Sequence, residues 1–154
     1  MELEIAQFFT IMLFALVVGV FWGTWFSLSR SIARITPRTF LEIGKTIIGN
    51  LARPMRVLLP GAILASIVTI LLIPDRGSAA SLFTAAGSLL MIGSLIITLW
   101  VNVPIDNQIR SWTETSLPSD WGRIRDRWEA FHTARTFVSI GALASVLIGI
   151  LKLR

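Results

Sequence analysis

Four long apolar runs dominate this chain of 154 residues. Each is close to the roughly 20 residues that an α-helix needs to cross the hydrocarbon core of a bilayer. The runs predict an all-α integral membrane protein, an antiparallel four-helix bundle that forms one domain over residues 1–154. The predicted spans are about residues 6–28, 55–73, 78–101 and 128–151.

The composition agrees with this interpretation. Apolar residues make up 54% of the chain and charged residues only 15%, whereas a soluble domain of this size carries more charge. The first span does not resemble a cleaved signal peptide, because Glu2 and Glu4 stand where a positive leader is expected. The chain has no cysteine, which excludes disulfides, thiolate metal sites and dithiol redox chemistry.

The distribution of positive charge predicts the orientation. Of the 14 Lys and Arg residues, all but Arg76, Lys152 and Arg154 lie in or beside the two long loops, residues 29–54 and 102–127. Cytoplasmic loops carry the Lys/Arg excess, so we expect both loops in the cytoplasm and both termini outside, in a plasma or inner membrane. The basic residues then set the orientation of the chain in the membrane and contact the headgroups of the lipid bilayer. We expect no nucleic-acid partner.

A stripe of polar and aromatic residues precedes and enters the fourth span. Its members are three and four residues apart, a spacing that places them on one face of an α-helix. They are Trp121, Arg125, Trp128, His132 and Arg135, and His132 is the only histidine. Ionisable groups are costly inside a membrane and normally face a bundle interior or a wet cavity. The stripe is therefore the first candidate for a functional site.

The end of the third span carries a second polar series. Thr98, Asn102 and Asp106 are four residues apart and share a face if the helix continues past Pro104. Two interpretations are open: a solvated helix end, or a set of polar partners that faces the stripe. Trp100 lies in this segment, and all six tryptophans map to the cytoplasmic half, which favours an aromatic-lined region there.

Two local patterns predict details of the first two helices. Thr36 followed by Pro37 is typical of a helix N-cap, and the helix after it is either interfacial or an extension of the second span. Gly19 and Gly23 form a GxxxG pattern that allows close helix contact.

The polar segments together resemble a known family. The matching residues are Asn102-x-Pro104, Trp112, Pro118-x-Asp120-Trp121, Arg125-x-x-Trp128 and His132-x-x-Arg135. They are similar to the pattern of the anthrone-oxygenase-like family, small integral membrane proteins with four spans. The resemblance implies oxygenation of an anthrone to an anthraquinone by O₂ without an added organic cofactor.

Such chemistry suggests a role for each candidate residue. His132 is the expected base, because an unperturbed histidine pKa of about 6.5 allows proton uptake near neutral pH. Arg135 and Asn102 are the expected partners of the enolate oxygen. The candidate substrate-binding residues are Trp121, Trp128, Arg125, Trp100 and Asp106. A purely structural alternative remains, in which Arg135 reaches to headgroups and His132 joins the third helix to the fourth.

A metal site is a further alternative. Glu129 and His132 have the Glu-x-x-His spacing of di-iron carboxylate bundles, but those sites need two such motifs. We therefore expect no cofactor and no metal, with Glu129 and His132 as the ligands if a metal is present.

Three functions remain open: a membrane oxygenase, a non-enzymatic protein that binds a hydrophobic small molecule such as a lipid or quinone, and a helix-packing subunit. A homo-oligomer is compatible with each.

Overall fold

The computed structural model describes residues 1–152, apart from the side chain of residue 48. The described chain is helical and contains no strand. The α-helices are α1 Glu2–Thr24, α2 Pro37–Leu72, α3 Ala79–Ile97, α4 Val103–Ser111 and α5 Trp121–Leu151. Two π-helical turns, Trp25–Ser29 and Thr98–Asn102, extend α1 and join α3 to α4, and a 3₁₀ turn spans Ile32–Arg34.

Four helical stretches are long and apolar enough to cross a membrane, which confirms the predicted all-α membrane architecture. They are Glu2–Arg34, Gly49–Leu72, Ala79–Ser111 and Trp121–Leu151. Many large apolar side chains point outward. Among them are Phe8, Leu64 and Leu89, which are 59%, 63% and 68% exposed. In lipid this outward surface is the favourable one, because the bilayer core is as apolar as the side chains.

The helix α2 is one continuous element. It begins at the predicted cap: the backbone N–H of Thr39 donates to Thr36 Oγ1 at 3.4 Å, and Pro37 occupies the first helical position. The helix then continues through Pro54 and Pro60 into the second span. The segment after Thr36 is therefore an extension of the second span and not a separate interfacial helix.

Glycine brings α3 and α5 into close contact. A Cβ atom on Gly87 would lie 2.7 Å from the backbone oxygen of Ala142, and one on Gly149 would lie 2.9 Å from that of Ala80. Small residues let two membrane helices approach until their backbones touch. In contrast, a Cβ on Gly19 or Gly23 would meet nothing within 4 Å, so within the described chain the GxxxG pattern makes no close helix contact. That prediction was wrong for intrachain packing.

The bundle has one end that we call the basic end, which carries residues 30–36 and 112–120. A cluster of buried apolar residues closes it, built from Ile32, Phe40, Leu41, Ile105, Ile109, Trp112 and Trp128. Lys45 Nζ donates to the backbone oxygen of Trp112 at 2.6 Å and so ties the extension of α2 to the end of α4. This cluster covers the polar side chains that lie one layer deeper in the bundle.

Candidate functional site

The π-helical turn Thr98–Asn102 directs the polar residues of α3 toward α5. Pro104 has no N–H, so the carbonyl of Trp100 lacks its usual helical partner, and the wider turn lies at this point. Asn102 Nδ2 donates to the backbone oxygen of Trp128 at 3.1 Å. About two turns earlier, Ser94 Oγ donates to the backbone oxygen of Arg135 at 3.0 Å. The helix does continue past Pro104, and its polar series faces the stripe.

Arg135 is the centre of the polar contacts. Its Nη1 donates to Thr98 Oγ1 at 3.0 Å, and its Nε and Nη2 lie 3.1 Å and 2.9 Å from His132 Nδ1. The guanidinium also sits over the ring of Phe21, 4.6 Å from the centroid. Arg135 is only 8% exposed and, within residues 1–152, forms no salt bridge. A buried cation is thus held by neutral acceptors and an aromatic face.

The contacts of His132 determine its tautomer. A guanidinium can only donate, so Nδ1 accepts from Arg135, and the neutral imidazole carries its proton on Nε2. Nε2 is buried and makes no hydrogen bond to the described residues. The ring therefore has a donor available and an acceptor that is already in use.

A tryptophan links His132 to the carboxylate of α4. The Trp128 indole stacks on His132, and its Nε1 donates to Asp106 Oδ1 at 2.7 Å. Since the hydrogen bond fixes the indole plane and the stacking fixes the imidazole plane, Asp106 helps to orient His132 without touching it. Asn102 holds the same tryptophan through its backbone, while Asn102 Oδ1 is buried with no partner among the described residues.

Asp106, Trp128, His132 and Arg135 line a cavity of about 300 Å³ among the four spans. Its lining includes Phe21, Leu59, Asp106, Trp128, His132 and Arg135. Much of the lining is apolar, and a few polar groups converge on one wall, which is the usual character of a small-molecule site. A hydrophobic molecule in this cavity would meet the imidazole and the guanidinium together.

A comparison of the sequence with models of known protein families shows which family the chain belongs to. A sequence model of the anthrone oxygenase family matches residues 50–145. The chain belongs to the anthrone oxygenase family. The match includes α3 to most of α5, and therefore Asp106, Trp128, His132 and Arg135, but it leaves out the first span. No curated protein and no solved structure matches the chain.

Four of the predicted site residues of this anthrone oxygenase family member lie outside the cavity lining, and the first is Asn102, whose amide is bound to the Trp128 carbonyl. Arg125 stacks over Trp121, 5.0 Å from its centroid, and forms an ion pair with Asp126 at 2.7 Å. Trp121 packs against Phe40 in the apolar cluster of the basic end. Trp100 is 77% exposed on the outer surface. The stripe is therefore divided: its deeper half reaches the cavity and its outer half contacts the basic end.

Glu129 does not join His132. Its Oε1 accepts from Thr133 Oγ1 at 2.7 Å, one turn along the same helix. Among the described residues no three His, Cys, Asp or Glu side chains lie together as a metal site requires. Among the described contacts Glu129 also forms no ion pair with Arg125, which lies one turn back on α5 and pairs with Asp126.

Sequence reasoning missed one important residue of the cavity. Phe21 comes from α1 and touches both members of the polar pair, with its ring edge-on to His132 at 6.2 Å and beneath Arg135 at 4.6 Å. Nothing in the apolar pattern of the first span distinguishes Phe21 from Phe14 or Phe26. Only the packing of α1 against α5 selects it.

Proposed function

We propose that this member of the anthrone oxygenase family is a membrane-embedded oxygenase that acts on a hydrophobic phenolic or polycyclic aromatic substrate with O₂. One observation carries the proposal: His132 and Arg135 lie side by side on the wall of a cavity of about 300 Å³, within the part of the chain that matches the family. Phe21 and Trp128 supply flat aromatic surfaces in the same cavity. A poorly soluble substrate would reach it from the bilayer.

The proposed reaction converts a methylene group beside an aromatic ketone into a second ketone. Loss of one C–H proton to a base leaves an electron-rich enolate that reacts with O₂. One oxygen atom ends in the new carbonyl and the other leaves as water, while both methylene hydrogens are removed. Carbon is oxidised by four electrons and O₂ is reduced by four, so no external reductant is needed and we propose no organic cofactor.

The imidazole of His132 can act as the base, but only if its acceptor nitrogen is first released from Arg135. Nδ1 already accepts from Arg135, so it can take a substrate proton only after Arg135 has moved away. We propose that the developing enolate oxygen replaces Nδ1 as the acceptor for the guanidinium. One movement of Arg135 would then free the base and stabilise the negative charge.

Asp106, Trp128 and Asn102 act as positioning residues in this proposal. The Asp106–Trp128 hydrogen bond and the ring stacking hold the imidazole while Arg135 changes partner. Asn102 fixes the same turn of α5 through the Trp128 carbonyl. We propose that the basic end, where this site lies, faces the cytoplasm and that the termini lie outside.

A second function is favoured by the same geometry. In the arrangement described here Nδ1 of His132 is in use as an acceptor and Nε2 remains as an unpartnered donor, which suits binding of a carbonyl-bearing ligand such as a quinone without turnover. The two functions therefore differ in whether Nδ1 is ever released.

The test uses the purified protein in lipid nanodiscs with anthrone as the probe. Wild type should consume O₂ and form anthraquinone above the protein-free rate, and His132→Ala should lose that increment while retaining its thermal unfolding midpoint. Trp100→Phe, at an exposed position outside the cavity, is the matched control and should keep full activity. A wild type that binds anthrone with no increment supports the binding function. Loss of folding in His132→Ala but not in His132→Gln assigns His132 a structural role.

A further inference from the structure

The cavity opens sideways, between α2 and the stretch of the third span that follows α3. The exposed part of its lining comes from α2, the π-helical turn Thr98–Asn102 and α4 alone and comprises Arg56, Pro60, Leu99, Val103, Asn107 and Arg110. Leu99 and Val103 are 53% and 37% exposed on a span that would be surrounded by lipid. A molecule dissolved in the bilayer would therefore reach the cavity without passing through water.

The register of the helices brings Arg56 to the layer of Arg135. Ser88 Oγ donates to Ser66 Oγ at 2.8 Å, which aligns these two positions of α3 and α2. Both helices rise about 1.5 Å per residue and run in opposite directions, so equal steps from the aligned pair stay level. Ten residues back from Ser66 and ten forward from Ser88 lead to Arg56 and Thr98. Thr98 accepts from Arg135.

The charge of the lining is unbalanced. Among the described residues, Arg56 and Arg135 line this layer of the cavity and neither forms a salt bridge. Asp106 is already engaged by Trp128 and forms no salt bridge to Arg135. Positive charge without a counter-ion is costly in a low-dielectric site, so an anionic group in this layer would be stabilised.

We infer that the cavity takes an acidic aromatic molecule, a phenolate or carboxylate, that enters from the bilayer between α2 and the stretch of the third span that follows α3. Arg56 is the specificity-determining residue that holds its anionic group at the level of Thr98 and Arg135. The inference rests on the proposed function in treating the cavity as the substrate site, but it does not depend on the oxygen chemistry.

A pair of fluorescent probes tests the inference. Anthracene-9-carboxylate and the neutral anthracene-9-methanol share one ring system and differ in charge. Their binding is measured in nanodiscs of phosphatidylcholine, after subtraction of the partition into protein-free discs. Arg56→Gln is compared with Arg53→Gln, which removes an exposed arginine one turn away on the same helix but outside the cavity lining.

The expected result is tighter binding of the carboxylate than of the alcohol by wild type. Arg56→Gln should weaken carboxylate binding by about tenfold, the effect of one charge-assisted hydrogen bond, and should leave the alcohol unchanged. Arg53→Gln should change neither. Equal affinities for the two probes, or equal losses in the two variants, would overturn the inference, since the second result reports general surface charge.

Two additional measurements separate other causes. If phosphatidylglycerol added to the discs displaces the carboxylate from wild type, the anionic site belongs to lipid headgroups and the aromatic assignment is overturned. Turnover of anthrone, a neutral molecule, is followed in the same samples. If wild type turns over anthrone but does not prefer the carboxylate to the alcohol, the oxygenase proposal stands and this inference is refuted. If it prefers the carboxylate but does not turn over anthrone, this inference stands and the oxygenase proposal is refuted.

Discussion

The indole of Trp128 stacks on the imidazole of His132, with ring centroids 5.0 Å apart and planes inclined by 11°. The indole N–H donates to Asp106 at 2.7 Å, so one tryptophan joins the carboxylate of α4 to the histidine of α5. Because the two aromatic rings are four residues apart on one helix, their stacking is set locally. The hydrogen bond, in contrast, requires α4, which carries Asp106. This contact makes the orientation of His132 depend on α4.

Trp128→Phe tests this dependence. The substitution keeps an aromatic ring over His132 but removes the donor to Asp106, and loss of a hydrogen bond to a charged group costs about 1.5–3 kcal/mol. We expect anthrone binding and turnover to fall while helix content stays constant. Circular dichroism and the nanodisc assay check this, with Trp100→Phe as the control at an exposed position. Unchanged turnover would show that Asp106 does not position His132 through Trp128.

A double-mutant cycle tests whether the guanidinium of Arg135 binds Thr98 and His132 at the same time. Arg135→Lys cannot serve Thr98 and His132 together, because an ammonium lacks the rigid geometry of a guanidinium. Thr98→Val removes one acceptor and keeps the shape of the side chain. Residues in direct contact show coupling of about 0.5–3 kcal/mol, which we expect in the free energies of unfolding in detergent. Additive effects would mean that the 3.0 Å contact contributes nothing measurable.

Alanine substitutions of glycine test the close contact of α3 and α5. In Gly87→Ala the new methyl group would lie 2.7 Å from the backbone oxygen of Ala142, and the helices must separate. Overpacking of this kind costs about 1–3 kcal/mol, visible as a lower thermal unfolding midpoint. Gly19→Ala is the matched control, since its Cβ meets nothing within 4 Å, and it should be neutral or slightly stabilising. Equal midpoints for the two variants would argue against this helix packing.

Lys45→Met should loosen the basic end. Lys45 Nζ donates to the Trp112 carbonyl at 2.6 Å across 67 residues of sequence, and no other described contact joins the same two groups. We expect faster amide hydrogen exchange in peptides that cover the end of α4 and the following loop, with no change in α3. Arg53→Met on the same helix should leave the exchange unaltered. A uniform increase in both variants would indicate general destabilisation instead.

Metal analysis tests the expected absence of a cofactor. We expect the purified protein to carry less than stoichiometric iron or copper and to show no visible absorption band. His132 Nδ1 accepts from Arg135, so a metal on His132 would have to displace either that contact or the Nε2 proton. Near-stoichiometric metal in wild type that is lost in His132→Ala, measured side by side, would contradict this and make Glu129 and His132 the first ligands to test.

Much of the architecture could be predicted because it depends on local properties of the chain. Length and apolarity specify the spanning helices, and the Thr36 and Pro37 pair specifies where α2 begins, since a cap needs only neighbouring residues. Helical spacing likewise placed Trp128, His132 and Arg135 on one face, and they are buried together.

The site could be predicted only in part. The same spacing grouped Trp121 and Arg125 with the deeper residues, but the cavity ends before it reaches them. Periodicity gives the direction of a side chain around its own helix and not the depth at which a neighbouring helix meets it. For the same reason the GxxxG pattern of Gly19 and Gly23 predicts a helix contact, whereas Gly87 and Gly149 make the close contacts.

Hydropathy and helical periodicity act over short stretches of chain, so the sequence was enough to predict the membrane-spanning helices, the residues that share each helix face and the family resemblance. Tertiary structure alone decided that Phe21 lies under Arg135, that Arg135 occupies the acceptor nitrogen of His132, and that Asp106 reaches Trp128. These contacts depend on the relative register and rotation of the helices and on the chosen side-chain rotamers. None of these variables follows from the spacing of residues along one helix, because each depends on a second helix.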